Sequence, residues 1–322
     1  LTASLHAQAP QVKSAPILLG QGEHTYQWLP NWAKLPSGMS FGNTHGCIVV
    51  DSQDRVYVNT DTEHAVLVFA TDGSLVKSWG KEFQGGAHGM CIAVEGGQEV
   101  LYLTHLGRHE LVKTTLDGEV LWTLGYPEMA GIYQEKGQYN PTSVAIGPGG
   151  EIYVADGYGL SWVHQFDKDK QYIRSFGGPG SELGKMSTPH GIFLDTRGAE
   201  PRLVVADRAN HRLQWFDLAG KFLSTLDQDL RLPCHAQQRG EMLVVADLQG
   251  RVSLVDGKNQ IVAHLGDNSD PALRGQNGVP LEKWKDGEFL SPHCAAWDSR
   301  GDLYVMDWNY LGRVTKLARV RK

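Results

Sequence analysis

No apolar run in this chain approaches the ~20 residues that a membrane-spanning helix needs, so the sequence offers no helical span. Basic residues are not in excess. Thirty Lys and Arg stand against 36 Asp and Glu, a net charge of −6 with His neutral. That balance lacks the basic face by which nucleic-acid binders are recognised, so no nucleic-acid partner is expected. Cysteine is sparse, with four residues in 322, which excludes a disulfide-dense scaffold. A chain of this length buries enough surface to stand without disulfides or structural metal. Glycine, by contrast, is plentiful at 38 residues, as a turn-rich β fold requires.

Residues 1–15 contain an Ala-x-Ala pattern at Ala7-Gln8-Ala9. They read as a leader or signal-peptide remnant, with a secreted or periplasmic location as the expectation. An unstructured cytosolic leader is the alternative.

The remaining chain, 16–322, repeats itself. A short apolar strand recurs six times: Val56-Tyr57-Val58, Leu101-Tyr102-Leu103, Ile152-Tyr153-Val154, Leu203-Val204-Val205, Leu243-Val244-Val245 and Leu303-Tyr304-Val305. Ala-Asp follows it in three copies, at Asp156, Asp207 and Asp247. A third strand comes next, then a turn such as Asp72-Gly73 or Asp117-Gly118, the usual sign of a hairpin between apolar runs. Each unit is a four-stranded antiparallel meander of the size of a propeller blade. The predicted fold is therefore all-β, a single six-bladed β-propeller. The sixth copy lacks a fourth strand, and Thr25–Leu29 reads as the orphan that supplies it and closes the ring. Closure hides an edge that would otherwise be exposed.

Histidine gathers where the first strands begin. His45, His88, His190, His235 and His293 stand there, while blade three has Thr142. These take a large share of the 13 histidines, and β-propensity does not explain them. First strands line a propeller's channel, so their starts share one mouth. Blades two, four and six lie about 120° apart in a six-fold ring. His88, His190 and His293 are thus a candidate metal-ligating triad, suited to zinc or another divalent transition metal. Histidines that only hydrogen-bond between blades are the plain alternative.

Glycine-punctuated repeats of this kind resemble the NHL-repeat propellers. The mouth motifs His88-Gly89-Met90, Thr188-Pro189-His190-Gly191 and Ser291-Pro292-His293, 102 and 103 residues apart, resemble the peptidyl-α-hydroxyglycine α-amidating lyases. Asp156-Gly157-Tyr158 and Ala206-Asp207-Arg208 add to the likeness. The resemblance implies a zinc-dependent lyase that cleaves an α-hydroxyglycine into an amide and glyoxylate. It implies catalytic roles for Tyr158 as base and for Arg208 as the holder of the substrate carboxylate. A second substrate-facing arginine of that family is replaced here by the stretch Val58-Asn59-Thr60-Asp61, and Cys294 stands where a calcium-binding Asp is expected, so calcium is doubtful. His45 and His235 lie outside the family pattern and are read as additional site residues, for a second metal or an acid/base group.

All four cysteines fall within three residues of a mouth histidine. Cys47 reads as a small buried hydrophobe or a thiolate ligand, and a Cys234–Cys294 disulfide is open. The insertion Asp267–Ser291, with Trp284 and Lys285, reads as a lid or a plain surface loop. A shorter one, Tyr126–Asn140, carries Tyr133 and Tyr139 to the same rim. A small-molecule or peptide substrate is expected, and a protein partner stays open. A metal-dependent hydrolase or lactonase and a non-enzymatic NHL-type binding propeller are the competing functions.

Overall fold

A computed structural model describes residues 15–321. Nearly all of the expected leader lies outside them. Among the described residues no helix is long and apolar enough to cross a membrane.

The strands form six antiparallel sheets. Blade one runs Ile48–Val50, Val56–Asn59, Val66–Phe69 and Leu75–Trp79. Each later blade repeats this order, from Ala87–Glu95 in blade two to Pro292–Trp297 in blade six. Every first strand neighbours the first strand of the next blade, and the sixth returns to the first, so the ring is closed. Alternation of large apolar residues on second and third strands fills the space between blades. Val204, Trp215 and Leu213 of blade four, for example, pack on Ala236, Leu243 and Val245 of blade five.

Closure occurs as expected. Tyr26–Leu29 pairs antiparallel with Arg313–Arg319, with Trp28 opposite Leu317. Leu18–Leu19 then adds a short fifth strand to the edge of that blade, which the repeat did not foretell. Trp28 is buried against Phe289, so the closing strand is held by packing as well as by its ladder.

The Asp after the second strand has a structural task. Asp156, Asp207, Asp247 and Asp307 are fully buried, and each accepts backbone N–H groups from the loop entering its blade's first strand. In blade four Asp207 takes Ser187 N at 2.6 Å, and Arg212 at 2.7 Å neutralises it. In blade six Asp307 takes Leu290 N and Ser291 N and pairs with Arg313. Satisfied buried carboxylates of this kind fix the chain immediately before the mouth histidines.

Candidate metal centre

Ladder register decides which residues share a level of the channel. Pro189, Pro233 and Pro292 each face the Asp that ends the neighbouring strand, and Ala87 faces His105 at the same level. The next level is therefore Gly46, His88, Thr142, His190, Cys234 and His293. His88, His190 and His293 occupy blades two, four and six of it, as expected. The other two histidines are displaced. His45 lies one residue before this level, and His235 one residue after it, opposite Ala246 where Gly191 faces Ala206. The six mouth positions thus hold three histidines and not five, because blades one and five are offset by one residue from the motif alignment.

The three rings form a nearly equilateral set, with centroids 4.9, 5.1 and 4.6 Å apart. All are buried. Each Nδ1 meets a carbonyl of the following blade at this same level: His88 to Thr142 O at 2.7 Å, His190 to Cys234 O at 2.9 Å, and His293 to Gly46 O at 2.7 Å. A carbonyl only accepts, so Nδ1 carries the proton and Nε2 keeps its lone pair. Burial, the main cause, holds all three imidazoles well below their usual basicity and hence neutral. Nε2 of His88 and of His293 are buried with no hydrogen-bond partner. Orphaned, neutral, oriented Nε2 atoms are what a divalent transition metal requires. Ligand atoms within 4.8 Å of one another bring together His45, His88 and His293, and also His190, Cys234 and His293, so the mouth can hold such a metal, and its nitrogen-rich donor set does not suit calcium.

Glycine makes this layer possible. A Cβ at Gly89 would lie 2.3 Å from Thr142 O, and one at Gly191 would lie 2.6 Å from Cys234 O. Those are the carbonyls that orient His88 and His190. Only a residue without a side chain lets the strands approach closely enough for the histidines to reach them.

Tyr158 and Arg208 project from the turns that follow the second strands of blades three and four. Tyr158 Oη lies 2.9 Å from His190 Nε2 and 3.0 Å from His45 Nε2. Arg208 Nη1 donates to the same oxygen at 3.2 Å, and its guanidinium stacks over the Tyr158 ring. The His190 tautomer requires the phenol to donate to that ring. His45 Nε2–H and Arg208 are then the two donors to the phenol oxygen. Burial outweighs the nearby Arg208 charge and raises the phenol to about 12, so Tyr158 is protonated in this state. Burial, followed by the Arg208 charge, lowers His45 to about 4. Among the described residues no carboxylate forms a salt bridge with Arg208. Thr188, two residues before His190, adopts φ +58°, a strained choice for a β-branched residue. Arg208 N donates to its carbonyl, so the strained turn and the arginine are tied together.

Other expectations fare differently. Asn59 is fully buried and donates to His88 O at 2.8 Å, so it braces the seam between blades one and two. Tyr133 donates to Asp156 and Tyr139 is fully buried beside it, so both brace the blade-three turn that carries Tyr158. The Asp267–Ser291 insertion is fastened to blade six by Phe289 packing on Trp28 and by the stacking of Arg313 on Trp284, while Asn268 ties its two ends together by donating to Phe289 O. All four cysteines are free. The pair in contact is Cys47 with Cys294, at 2.8 Å between sulfurs, whereas Cys234 lies against Arg208 at 3.7 Å. Spacing along the chain carried no signal for that pairing, because blades one and six meet only on ring closure.

No protein-family model matches the chain. It is 31% identical over 192 residues to mouse NHL repeat-containing protein 3, covering 56% of this chain and 54% of that one. It is 27% identical over 240 residues to peptidyl-alpha-hydroxyglycine alpha-amidating lyase 2 of Drosophila melanogaster, covering 74% and 56%. The chain thus spans about half the length of these relatives. Among solved structures it is similar to a gluconolactonase from Xanthomonas campestris, with TM-score 0.63, 13% identity and coverage of 98% and 99%. Virginiamycin B lyase from Staphylococcus aureus gives 0.58, 13%, 92% and 99%. At such identities the likeness is one of fold. The chain is a six-bladed β-propeller related to NHL-repeat and lyase-like propellers, with a site able to bind metal.

Proposed function

We propose that the protein is a metal-dependent lyase that cleaves a carbinolamide of the α-hydroxyglycine type into an amide and glyoxylate. The observation that carries this is the alternate-blade triad, with Nε2 of His88 and His293 orphaned, beside a phenol and a half-buried arginine with which no carboxylate among the described residues forms a salt bridge. Sequence likeness to an amidating lyase supports the choice of substrate class.

His88, His190 and His293 would hold zinc or a similar divalent metal through Nε2. When bound, the metal supplies a Lewis acid for the substrate hydroxyl. The protein's own groups do the rest. With His190 Nε2 committed to a metal, Tyr158 would lose the acceptor of its proton while keeping His45 and Arg208 as donors to its oxygen. Two donors and a nearby cation favour the phenolate, so Tyr158 becomes the base that takes the hydroxyl proton. The C–N bond then breaks, its electron pair leaves with the amide nitrogen, and Tyr158 returns the hydroxyl proton to that nitrogen as the carbonyl of glyoxylate forms. Arg208 holds the carboxylate of the departing fragment in a charge-assisted pair.

The test is glyoxylate release from a peptidyl α-hydroxyglycine by zinc-loaded protein. Tyr158→Phe keeps the metal and loses ~10²- to 10⁴-fold in kcat, the usual range for a general base. A metal-loaded wild type with no turnover refutes the lyase reading.

A further inference from the structure

One level below the histidine triad the channel changes character. That level is Cys47, Gly89, Ser143, Gly191, His235 and Cys294, by the same ladder register. The two glycines have no side chain to offer. The Ser143 hydroxyl is committed to the backbone of Ile192. Cys47, His235 and Cys294 remain, on consecutive blades one, five and six across the ring closure.

We propose that Cys47, His235 and Cys294 form a second metal site, for a thiophilic d10 cation such as zinc(II) or copper(I). Their ligand atoms all lie within 4.8 Å of one another. The sulfurs are 2.8 Å apart, and Cys47 Sγ is 3.9 Å from His235 Nε2. All three side chains are buried, and His235 Nδ1 has no hydrogen-bond partner. Two thiols and an imidazole, with no carboxylate, form a soft donor set that selects such cations over magnesium, calcium or manganese. Tetrahedral bonds of ~2.3 Å place two ligated sulfurs ~3.8 Å apart, so binding opens the pair by about 1 Å through side-chain rotation.

Access comes from the opposite mouth. A cavity of about 450 Å³ there is lined by Met90, Ile192 and Ala236 and ends on His235. Between the two levels a second cavity of about 10 Å³ touches the triad as well as this cluster. The two sites are thus stacked along one axis with different donors. This inference stands whether or not the triad supports a lyase.

Cobalt(II) is the probe that tells them apart. A thiolate–cobalt site gives a near-ultraviolet charge-transfer band, and a site of histidines alone does not. Native mass spectrometry of the reduced wild-type protein is expected to show two metals, with the band present at two equivalents of cobalt. Cys47→Ser and Cys294→Ser reduce the count to one and abolish the band. His190→Ala also reduces the count to one but leaves the band intact, and so isolates a failure of the triad from a failure of this site. Where a serine variant does not fold, His235→Gln serves, with a weakened band expected. Parallel loading with zinc(II) and copper(I) against a chelator identifies the cation held more tightly, and retention of either supports the site. The proposal is overturned if no charge-transfer band forms at two equivalents or if the band survives Cys47→Ser. It is also overturned if Cys47 and Cys294 persist as a disulfide after reductant treatment.

Discussion

Gly89→Ala puts the link between strand spacing and metal affinity to a direct test. The new methyl would sit 2.3 Å from Thr142 O and 2.8 Å from Ser143 Cα. Both are backbone atoms, so no flexible side chain can yield. Ordinary contact begins at 3.4 Å, which requires the seam between blades two and three to open by about 1 Å. The His88 Nδ1 bond to Thr142 O, now 2.7 Å, would stretch beyond hydrogen-bonding range. Overpacking contributes a loss of ~1–3 kcal/mol and the broken hydrogen bond ~1 kcal/mol, together roughly 2–4 kcal/mol of stability. Release of a ligand's orienting partner weakens metal binding ~10- to 100-fold. The assay is chelator competition for zinc beside thermal unfolding of the apo protein. Gly137→Ala, where a Cβ meets nothing within 4 Å, is the control and should match wild type in both. A Gly89→Ala protein that binds zinc within twofold of wild type would refute the claim that the Thr142 carbonyl orients His88.

Arg208→Ala should raise KM for a carboxylate-bearing substrate ~10- to 100-fold, the worth of a charged hydrogen bond, with little effect on KM for a substrate amidated at that carboxyl, while kcat falls for both because Tyr158 loses a donor; steady-state kinetics on the two substrates decides it. Asp207→Ala leaves Arg212 buried and unpaired and frees the Ser187 amide, so denaturant unfolding should show a loss of ~3–5 kcal/mol. Acid should destabilise the apo protein. His105 is lowered to about 4 and His164 to about 3, burial being the first cause in each. The unfolded chain then binds more protons below about pH 6.5, so stability present above that pH is lost as pH falls toward 4. Melting temperatures across this window check it, and a flat profile would contradict the burial of neutral histidines.

The six-blade repeat, its closing strand and the alternate-blade placing of His88, His190 and His293 were legible because the blade pattern is periodic. Apolar second strands recur, Asp-Gly turns recur, and His88, His190 and His293 recur at two-blade steps. The offset of His45 and His235 was not legible. Thr44-His45-Gly46 and Cys234-His235-Ala236 look like the other mouths as strings. Yet the ladder aligns Pro233 with Pro189 and Pro292, which puts Cys234 where the triad histidines stand. Proline was the better register mark, since it sits at the strand start where no ladder N–H is needed. The Cys47–Cys294 contact was hidden for another reason, because it depends on which blades meet at closure and on side-chain direction below the mouth.

The offset has a functional consequence. His45 stands one residue above the triad level, within reach of both Tyr158 and the nitrogens of His88 and His293. There it can donate to the phenol oxygen, the position that a second arginine would otherwise influence by charge. A neutral donor stabilises a phenolate less than a cation does, and it also binds no carboxylate. Among the described residues Arg208 is the cation that donates to the Tyr158 oxygen, and in the proposed mechanism it would serve two demands at once: holding the substrate anion and steadying the base. Replacing His45 with Arg would divide those tasks. His45→Arg should lower KM for a carboxylate substrate and move the acidic limb of activity, set by the Tyr158 phenol, to lower pH. His45→Gln, which keeps a neutral donor, should leave both near wild type. If Gln and Arg behave alike in the pH profile of kcat/KM, charge at this position is irrelevant and His45 acts only as a spacer against Trp308, which lies 5.6 Å from its ring.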